Sequence, residues 1–303
     1  MISHIRQVSL GLPDLARARD FYEHQWQLDV VGVDDDRVYL GSACAESYSL
    51  RLRATTEPRV DLLAFAAPRT SDVDAVAERV TRRDDARLVA APGPRQERGG
   101  GYATRFLDCD GRTVEVSAGV EERSYDPVTA TESRPVAISH VVLNTPDVDR
   151  SRRFYEDVLG FTVSDWVERH FCFLRTGPAH HLIAFTSAGH ASLNHVAFEV
   201  LGIDEFMRAT GRMMRAGHQP IWGPGRHGVG DNAFSYFAEP SSGFVTEYTT
   251  AMQIVDEATW RPRVHAATDQ GTDQWGTSNR LDDVVRTTLR GRPDPGLWTP
   301  PPV

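Results

Sequence analysis

His140, His195 and Glu247 fall in three separate strand-like stretches: Ile138-Ser139-His140-Val141-Val142, Ser192 to Val200, and Thr246-Glu247-Tyr248. A lone His in an apolar strand is usually a satisfied core residue. Two imidazoles and a carboxylate, one from each of three strands, form a ligand set instead. On one face they would leave about half of an octahedral shell open, the facial triad that suits non-haem Fe(II). A structural zinc more often takes four ligands, frequently cysteines. Cys44, Cys109 and Cys172 lie far apart, outside the three strands, and give neither a CxxC pair nor a disulfide framework.

The elements that must position these residues occur twice. Residues 5–12 alternate like a strand, and Pro13-Asp14 opens a helical pattern running through Leu15, Ala18, Phe21 and Tyr22. Strands are predicted at 38–40, 48–52 and 62–65, a helix at 72–80, and a closing hairpin around Asp110-Gly111. After a polar stretch carrying Pro127 and Pro135, the pattern restarts. Ile138 to Thr145 reads as a strand, and Pro146-Asp147 opens a helical stretch from Val148 to Val158, with a further one from Ile203 to Ala216. Pro13 to Pro146, Phe21 to Phe154 and Leu62 to His195 are each separated by 133 residues, and Glu115 to Glu247 by 132. An offset held across such landmarks is an internal repeat. Each half is itself doubled, so the predicted class is α+β, with four βαβββ modules paired into two domains. The expected layout is a metal-free domain at 1–120, a linker at 121–136, a metal-binding catalytic domain at 137–256, and an irregular arm at 257–303. The arm should carry a short helix near Arg280 to Leu289, and its tryptophans suggest packing on the body or on another subunit.

The duplication supplies a control. Gln7 stands where the second half has His140, Leu62 where it has His195, and Glu115 matches Glu247. The scaffold therefore does not demand histidine at these positions, and the second half carries a role that the first lacks.

Three further residues are candidates. His180-His181 precede an apolar strand, and adjacent strand residues face opposite sides, so at most one enters the site. His181 is preferred, although a surface pair at a strand edge is an equal reading. His227 sits in Gly223-Pro224-Gly225-Arg226-His227-Gly228, a shaped loop or a flexible turn. Tyr236 is either a core aromatic or a phenol offered to substrate, with Phe237 the competing register, and Arg105 falls at or beside its place in the first half. His4, His24, His170, His190, His218 and His265 show no partner pattern.

Composition excludes other classes. The net charge of −9 gives nucleic acid no electrostatic footing. No run approaches a membrane span, and the cysteine usage fits a reducing cytoplasm.

Taken together, the stretches around His140, His181-Leu-Ile-Ala-Phe, Leu-Asn-His195-Val, Gly-Arg-His227, Phe-Ser-Tyr236-Phe and Thr-Glu247-Tyr resemble the type I extradiol ring-cleaving dioxygenases of the vicinal oxygen chelate superfamily, over residues 1–255. The resemblance implies half-closed barrel domains and Fe(II), or occasionally Mn(II), on His140, His195 and Glu247. It implies a catechol and O₂ as reactants and a ring-opened hydroxymuconic-semialdehyde-type product. It makes His181 the acid–base group and brings His227 and Tyr236 against the substrate, in a homo-oligomeric enzyme. Two departures are an extra residue at Ser241-Ser242 and Val142 in place of an Asn after the first ligand. The rivals are glyoxalase-like lyase or epimerase chemistry, with ligands drawn from both halves, and a non-catalytic binder of an aromatic ligand or antibiotic.

Overall fold

The computed structural model describes residues 2–129 and 131–298. The first half runs β1 (His4–Leu12), α1 (Leu15–Asp20), β2 (Asp29–Asp34), β3 (Arg37–Gly41), β4 (Leu50–Ala54), β5 (Arg59–Ala66), α2 (Thr70–Thr81), β6 (Arg87–Pro94), β7 (Tyr102–Leu107) and β8 (Thr113–Ala118). The second repeats it as β9 (Ala137–Thr145), α3 (Val148–Phe154), β10 (Thr162–Val167), β11 (Phe171–Arg175), β12 (Ile183–Ser187), β13 (Ser192–Glu199), α4 (Ile203–Arg215), β14 (Trp222–Arg226), β15 (Ala233–Ala238) and β16 (Val245–Thr250). Each half is thus two βαβββ modules forming one sheet. The orders are β2-β3-β4-β1-β5-β8-β7-β6 and β10-β11-β12-β9-β13-β16-β15-β14, position for position the same.

The repeat is exact at the level of pairing. Gln7 lies opposite Ala64 and Ser9 opposite Leu62, while His140 lies opposite Ala197 and His195 opposite Val142. Ala64 then pairs with Glu115, and Ala197 with Glu247. The helix starts also match. The Asp14 and Asp147 side chains accept the backbone N–H of Arg17 and Arg150, capping otherwise unpaired first-turn donors. The helical stretch expected to run from Val148 to Val158 is α-helical only as far as Phe154. It widens into a π turn at Tyr155–Leu159, as α1 does at Phe21–Gln25. These turns bury Phe21, Tyr22, Phe154 and Tyr155 in a core that is continuous between the halves.

That core reaches the back of the site. Trp26 stacks on Tyr248 with ring centres 3.6 Å apart, and the Tyr248 hydroxyl donates to the Trp26 carbonyl at 3.1 Å. Tyr22 meets Thr246 at 2.9 Å. Alternation along β16 turns Thr246 and Tyr248 toward the first half and Glu247 the other way.

The arm is less irregular than its composition suggests. β17 (Val264–His265) extends the second sheet beside β10, and α5 (Asp269–Thr272) and α6 (Asp283–Arg290) follow. The Trp260 indole N–H donates to the Ser164 carbonyl, so the arm packs on its own body. Residues 299–303, assigned to the arm from the sequence, lie outside the described residues. No described helix is long and apolar enough to cross a membrane.

Arg112 ties the halves together. Its buried guanidinium bonds Asp108 and Asp110 and donates to the Asn144 carbonyl of β9. Asp110 also accepts from Arg150 and Ser151 across the boundary. Arg112→Ala would leave the buried Asp108 carboxylate without its cationic partner and Asp110 with Arg150 alone. Urea unfolding should show a loss of about 3–5 kcal/mol, and a loss under 1 kcal/mol would contradict this account.

Candidate metal centre

β16, β13 and β9 are adjacent in the sheet. Glu247, Ala197 and His140 form one cross-strand row. His195 lies two residues before Ala197, so alternation gives it the same face. Pairing register alone therefore brings all three candidates together. His140 Nε2 and His195 Nε2 are 3.4 Å apart, and they lie 3.2 and 3.0 Å from Glu247 Oε2.

These spacings fit a metal ion. Donor atoms ~2.1 Å from one ion and at right angles stand ~3.0 Å from each other. Glu247 Oε2 is fully buried and accepts no hydrogen bond, although two ring nitrogens lie against it. A buried carboxylate oxygen is costly without a partner, and a shared cation supplies one. Among the described residues, this is the one group of three or more histidine, cysteine or acidic side chains close enough to hold an ion.

Neighbours orient the ligands. The Asn194 amide N–H donates to Asn144 Oδ1 at 3.0 Å, which turns its own Oδ1 toward His195 Nδ1 at 2.7 Å. His195 therefore carries its proton on Nδ1 and points the Nε2 lone pair at the centre. Asn144 Nδ2 donates to the Leu289 and Arg290 carbonyls at the end of α6, both at 3.0 Å. Asn232 donates to Thr249 Oγ1 at 2.9 Å and reaches Glu247 Oε1 at 3.5 Å.

Electrostatics sets the required protonation. Burial outweighs the attraction of Glu247 and lowers the pKa of His195. Burial would raise the Glu247 carboxyl, but His140 and His195 outweigh it and hold that pKa well below the usual range. Neutral imidazole and ionised carboxylate are the forms that bind a cation.

The centre opens into a cavity of about 330 Å³, walled by Val142, Phe171, Phe173 and Trp222 and roofed by Leu281 and Leu289 of the arm. That suits one small aromatic ligand. His181 lines this cavity with its ring centre 4.4 Å from that of His140, while His180 turns away to Asp165. Both are buried, which excludes the surface-pair reading. Burial, then the neighbouring histidines, hold His181 well below its ordinary pKa.

His227 is no flexible turn. It stacks on Phe234 at 4.0 Å, donates from Nδ1 to the Thr272 carbonyl at 3.3 Å, and accepts the Tyr236 hydroxyl at Nε2, 3.0 Å away. Burial lowers its pKa to about 4. Tyr236 faces the cavity opposite Glu247 in register, its ring 4.9 Å from that of His195. Phe237 points into the core against Trp26. The register is therefore that of Tyr236. Burial and the charge of Glu247 push its phenol well above the ordinary value.

In the first half a guanidinium occupies the equivalent place. The Arg95 side chain is 1 % exposed, donates from Nε to Glu115 Oε1 at 2.6 Å, and donates from Nη2 to Gln7 Oε1 at 3.0 Å. Arg105, the ladder partner of Glu115 as Tyr236 is of Glu247, donates to Glu115 Oε2 at 2.6 Å. Sequence reasoning missed Arg95, although it precedes His227 by the same 132 residues that separate Glu115 from Glu247. It also assigned no role to Asn144, Asn194, Asp165, Asn232 or His265. Their types are common, and only folding reveals their partners.

Two outcomes follow. Anaerobic loading with Fe(II) or Mn(II) should give one ion per chain by elemental analysis. His195→Leu, which installs the first-half residue, should abolish retention on desalting and remove the rise in melting temperature with metal. In the first half, Glu97 accepts from Arg51 and Arg105. Burial opposes ionisation there, but the two arginines outweigh it and lower the carboxyl to about 2. A depressed carboxylate stabilises the fold above its unfolded pKa, and that contribution fades as pH falls toward 2. The urea midpoint of Glu97→Gln should therefore start lower at pH 7 and fall less between pH 5 and pH 2 than that of the native chain.

Comparison with known proteins agrees with this geometry. Residues 137–248 match the family model described as the Glyoxalase/Bleomycin resistance protein/Dioxygenase superfamily. A solved Mn(II)-bound glyoxalase from Novosphingobium aromaticivorans is 37% identical, with 98% of each chain covered and a TM-score of 0.92. Metapyrocatechase 2 of Cupriavidus necator is 28% identical over 301 residues, 91% of this chain and 89% of that protein. Biphenyl-2,3-diol 1,2-dioxygenase of Metapseudomonas furukawaii is 25% identical, covering 95% and 97%.

Proposed function

The chain belongs to the Glyoxalase/Bleomycin resistance protein/Dioxygenase superfamily, and within it we propose an extradiol dioxygenase that opens a catechol ring with O₂. The observation that carries this reading is the complete His140–His195–Glu247 set in one half, beside a cavity of about 330 Å³. Relatives named metapyrocatechase and biphenyl-2,3-diol dioxygenase along most of the chain support it.

His140, His195 and Glu247 would hold Fe(II), with Mn(II) as the alternative ion. Bound there, the ion supplies one centre at which a vicinal diol and O₂ meet. Phe173 stands edge-on to His181 at 5.1 Å, and the apolar walls hold the substrate ring and limit water. A neutral His181 takes a diol proton and later returns it, and its lowered pKa keeps the ring unprotonated beforehand. The Tyr236 hydroxyl keeps its proton, fixed by His227 and the Thr272 carbonyl, and meets the substrate as a neutral group. The product is a ring-opened hydroxymuconic-semialdehyde-type compound.

One observation favours a second reading: the 37% identical Mn(II)-bound protein is named a glyoxalase. A site shared between halves would need Gln7 and Glu115, and Arg95 already engages both. A lyase of that kind consumes no O₂, so an oxygen electrode separates the two. Fe(II)-loaded protein mixed with mono- and bicyclic catechols in air should consume one O₂ per diol and form a yellow product. His140→Ala should abolish both, and His181→Asn should lower kcat by ~10²–10⁴. Turnover of catechols without O₂ uptake would overturn the proposal.

A further inference from the structure

We infer that Asp165 and His180 are positioning residues that fix which ring nitrogen of His181 carries the proton, with the arm holding them through Arg263 and His265. This rests on His181 being the acid–base group of the proposed reaction.

A continuous hydrogen-bonded string runs from the cavity to the surface. His181 Nδ1 lies 3.0 Å from His180 Nδ1, and His180 Nε2 lies 3.2 Å from Asp165 Oδ2. The same Oδ2 is 3.1 Å from Nε2 of the half-exposed His265. Asp165 Oδ1 accepts the backbone N–H of Arg263 at 2.7 Å. Arg263 immediately precedes β17 and His265 ends it, where β17 pairs with β10, the strand that carries Asp165. The arm thus supplies two of the three donors to this buried carboxylate. Burial opposes ionisation of Asp165, but those bonds outweigh it and lower its pKa.

A carboxylate only accepts, so both facing ring nitrogens carry protons. With its single proton on Nε2, His180 offers an acceptor at Nδ1. His181 must then donate from its own Nδ1, which leaves a lone pair on Nε2. Among the described residues no hydrogen bond reaches that Nε2, and the cavity is lined by His181. The base is therefore presented to substrate by a carboxylate two imidazole contacts away. The rings cannot simply turn over. Phe173 and Trp260 stand against His180, and the close approach of Gly230, at φ +87°, would put an added Cβ 3.1 Å from His181 Cε1.

Asp165→Asn reverses the string without changing its size. The Arg263 N–H keeps an oxygen in the Oδ1 place, so the new amide N–H₂ faces His180 and His265. His180 Nε2 must then accept, its proton shifts to Nδ1, and His181 accepts at Nδ1. The proton of His181 is then left on Nε2, facing substrate, where the lone pair is needed.

The test compares Asp165→Asn, His181→Asn, the double variant, His265→Ala and His265→Gln in the Fe(II)-loaded full chain. The readouts are kcat and KM from O₂ uptake, metal content and melting temperature. Asp165→Asn should lower kcat at least ~100-fold with KM and metal content unchanged, as a wrong tautomer does. In the His181→Asn background it should cost nothing further, whereas a merely structural loss would add. His265→Ala should lower kcat ~10-fold, and His265→Gln, which keeps an N–H donor, should restore it to within about threefold. This pair carries the test if Asp165→Asn unfolds. Native kcat in Asp165→Asn beside a slow His181→Asn overturns the inference and leaves the proposed function standing. Equal native-level kcat in both His265 variants also overturns it. Native kcat in His181→Asn overturns the acid–base reading itself.

Discussion

Everything in the second half is arranged around one buried carboxylate oxygen. Glu247 Oε2 sits in the interior with two imidazole nitrogens against it and no hydrogen bond to receive. Leaving such an atom uncompensated is among the costlier things a fold can do. The surroundings make the arrangement durable. Trp26 and Tyr22 brace the far side of β16, Asn232 holds the other carboxylate oxygen, and Asn194 fixes the His195 ring. A slip of one residue in the β13–β16 pairing would turn Glu247 into the core.

The first half meets the same demand differently. Glu115 is equally buried, and the positive charge beside it is a covalently attached guanidinium from Arg95. One scaffold thus meets the same glutamate with a guanidinium in one copy and, in the other, with two imidazoles that complete a site fitting a cation. Leu62 in place of His195 removes one of the ligands. The first half touches the back of the site through Trp26 and Tyr22 against β16.

The fold was largely legible because its signals are local and repeated. Pro-Asp marks two helix starts, and a constant offset marks equivalent strands, so the ligand row could be drawn before any geometry was known. His140, His195 and Glu247 lie together where that register sends them, and His181, His227 and Tyr236 line the cavity beside them. What was not legible depends on long-range pairing. Asp165 carries no motif, and its partners lie 15 and 100 residues away. The π turns replace helix where the buried Phe-Tyr pairs must reach the core, a tertiary requirement that propensity does not carry. The arm read as irregular because its polar, proline-rich composition hides a two-residue strand that forms only against β10.

The arm's bonds to the site bear on the order in which the protein is made. All three ligands precede the arm, yet the carbonyls that steady Asn144, two of the three donors that hold Asp165 and the apolar roof come from residues 263–290. During synthesis there is an interval in which the ligand atoms exist and the enclosure does not. An ion captured in that interval would be open to water and oxidants on several sides. Closure by the later residues would turn an exposed coordination site into an enclosed one.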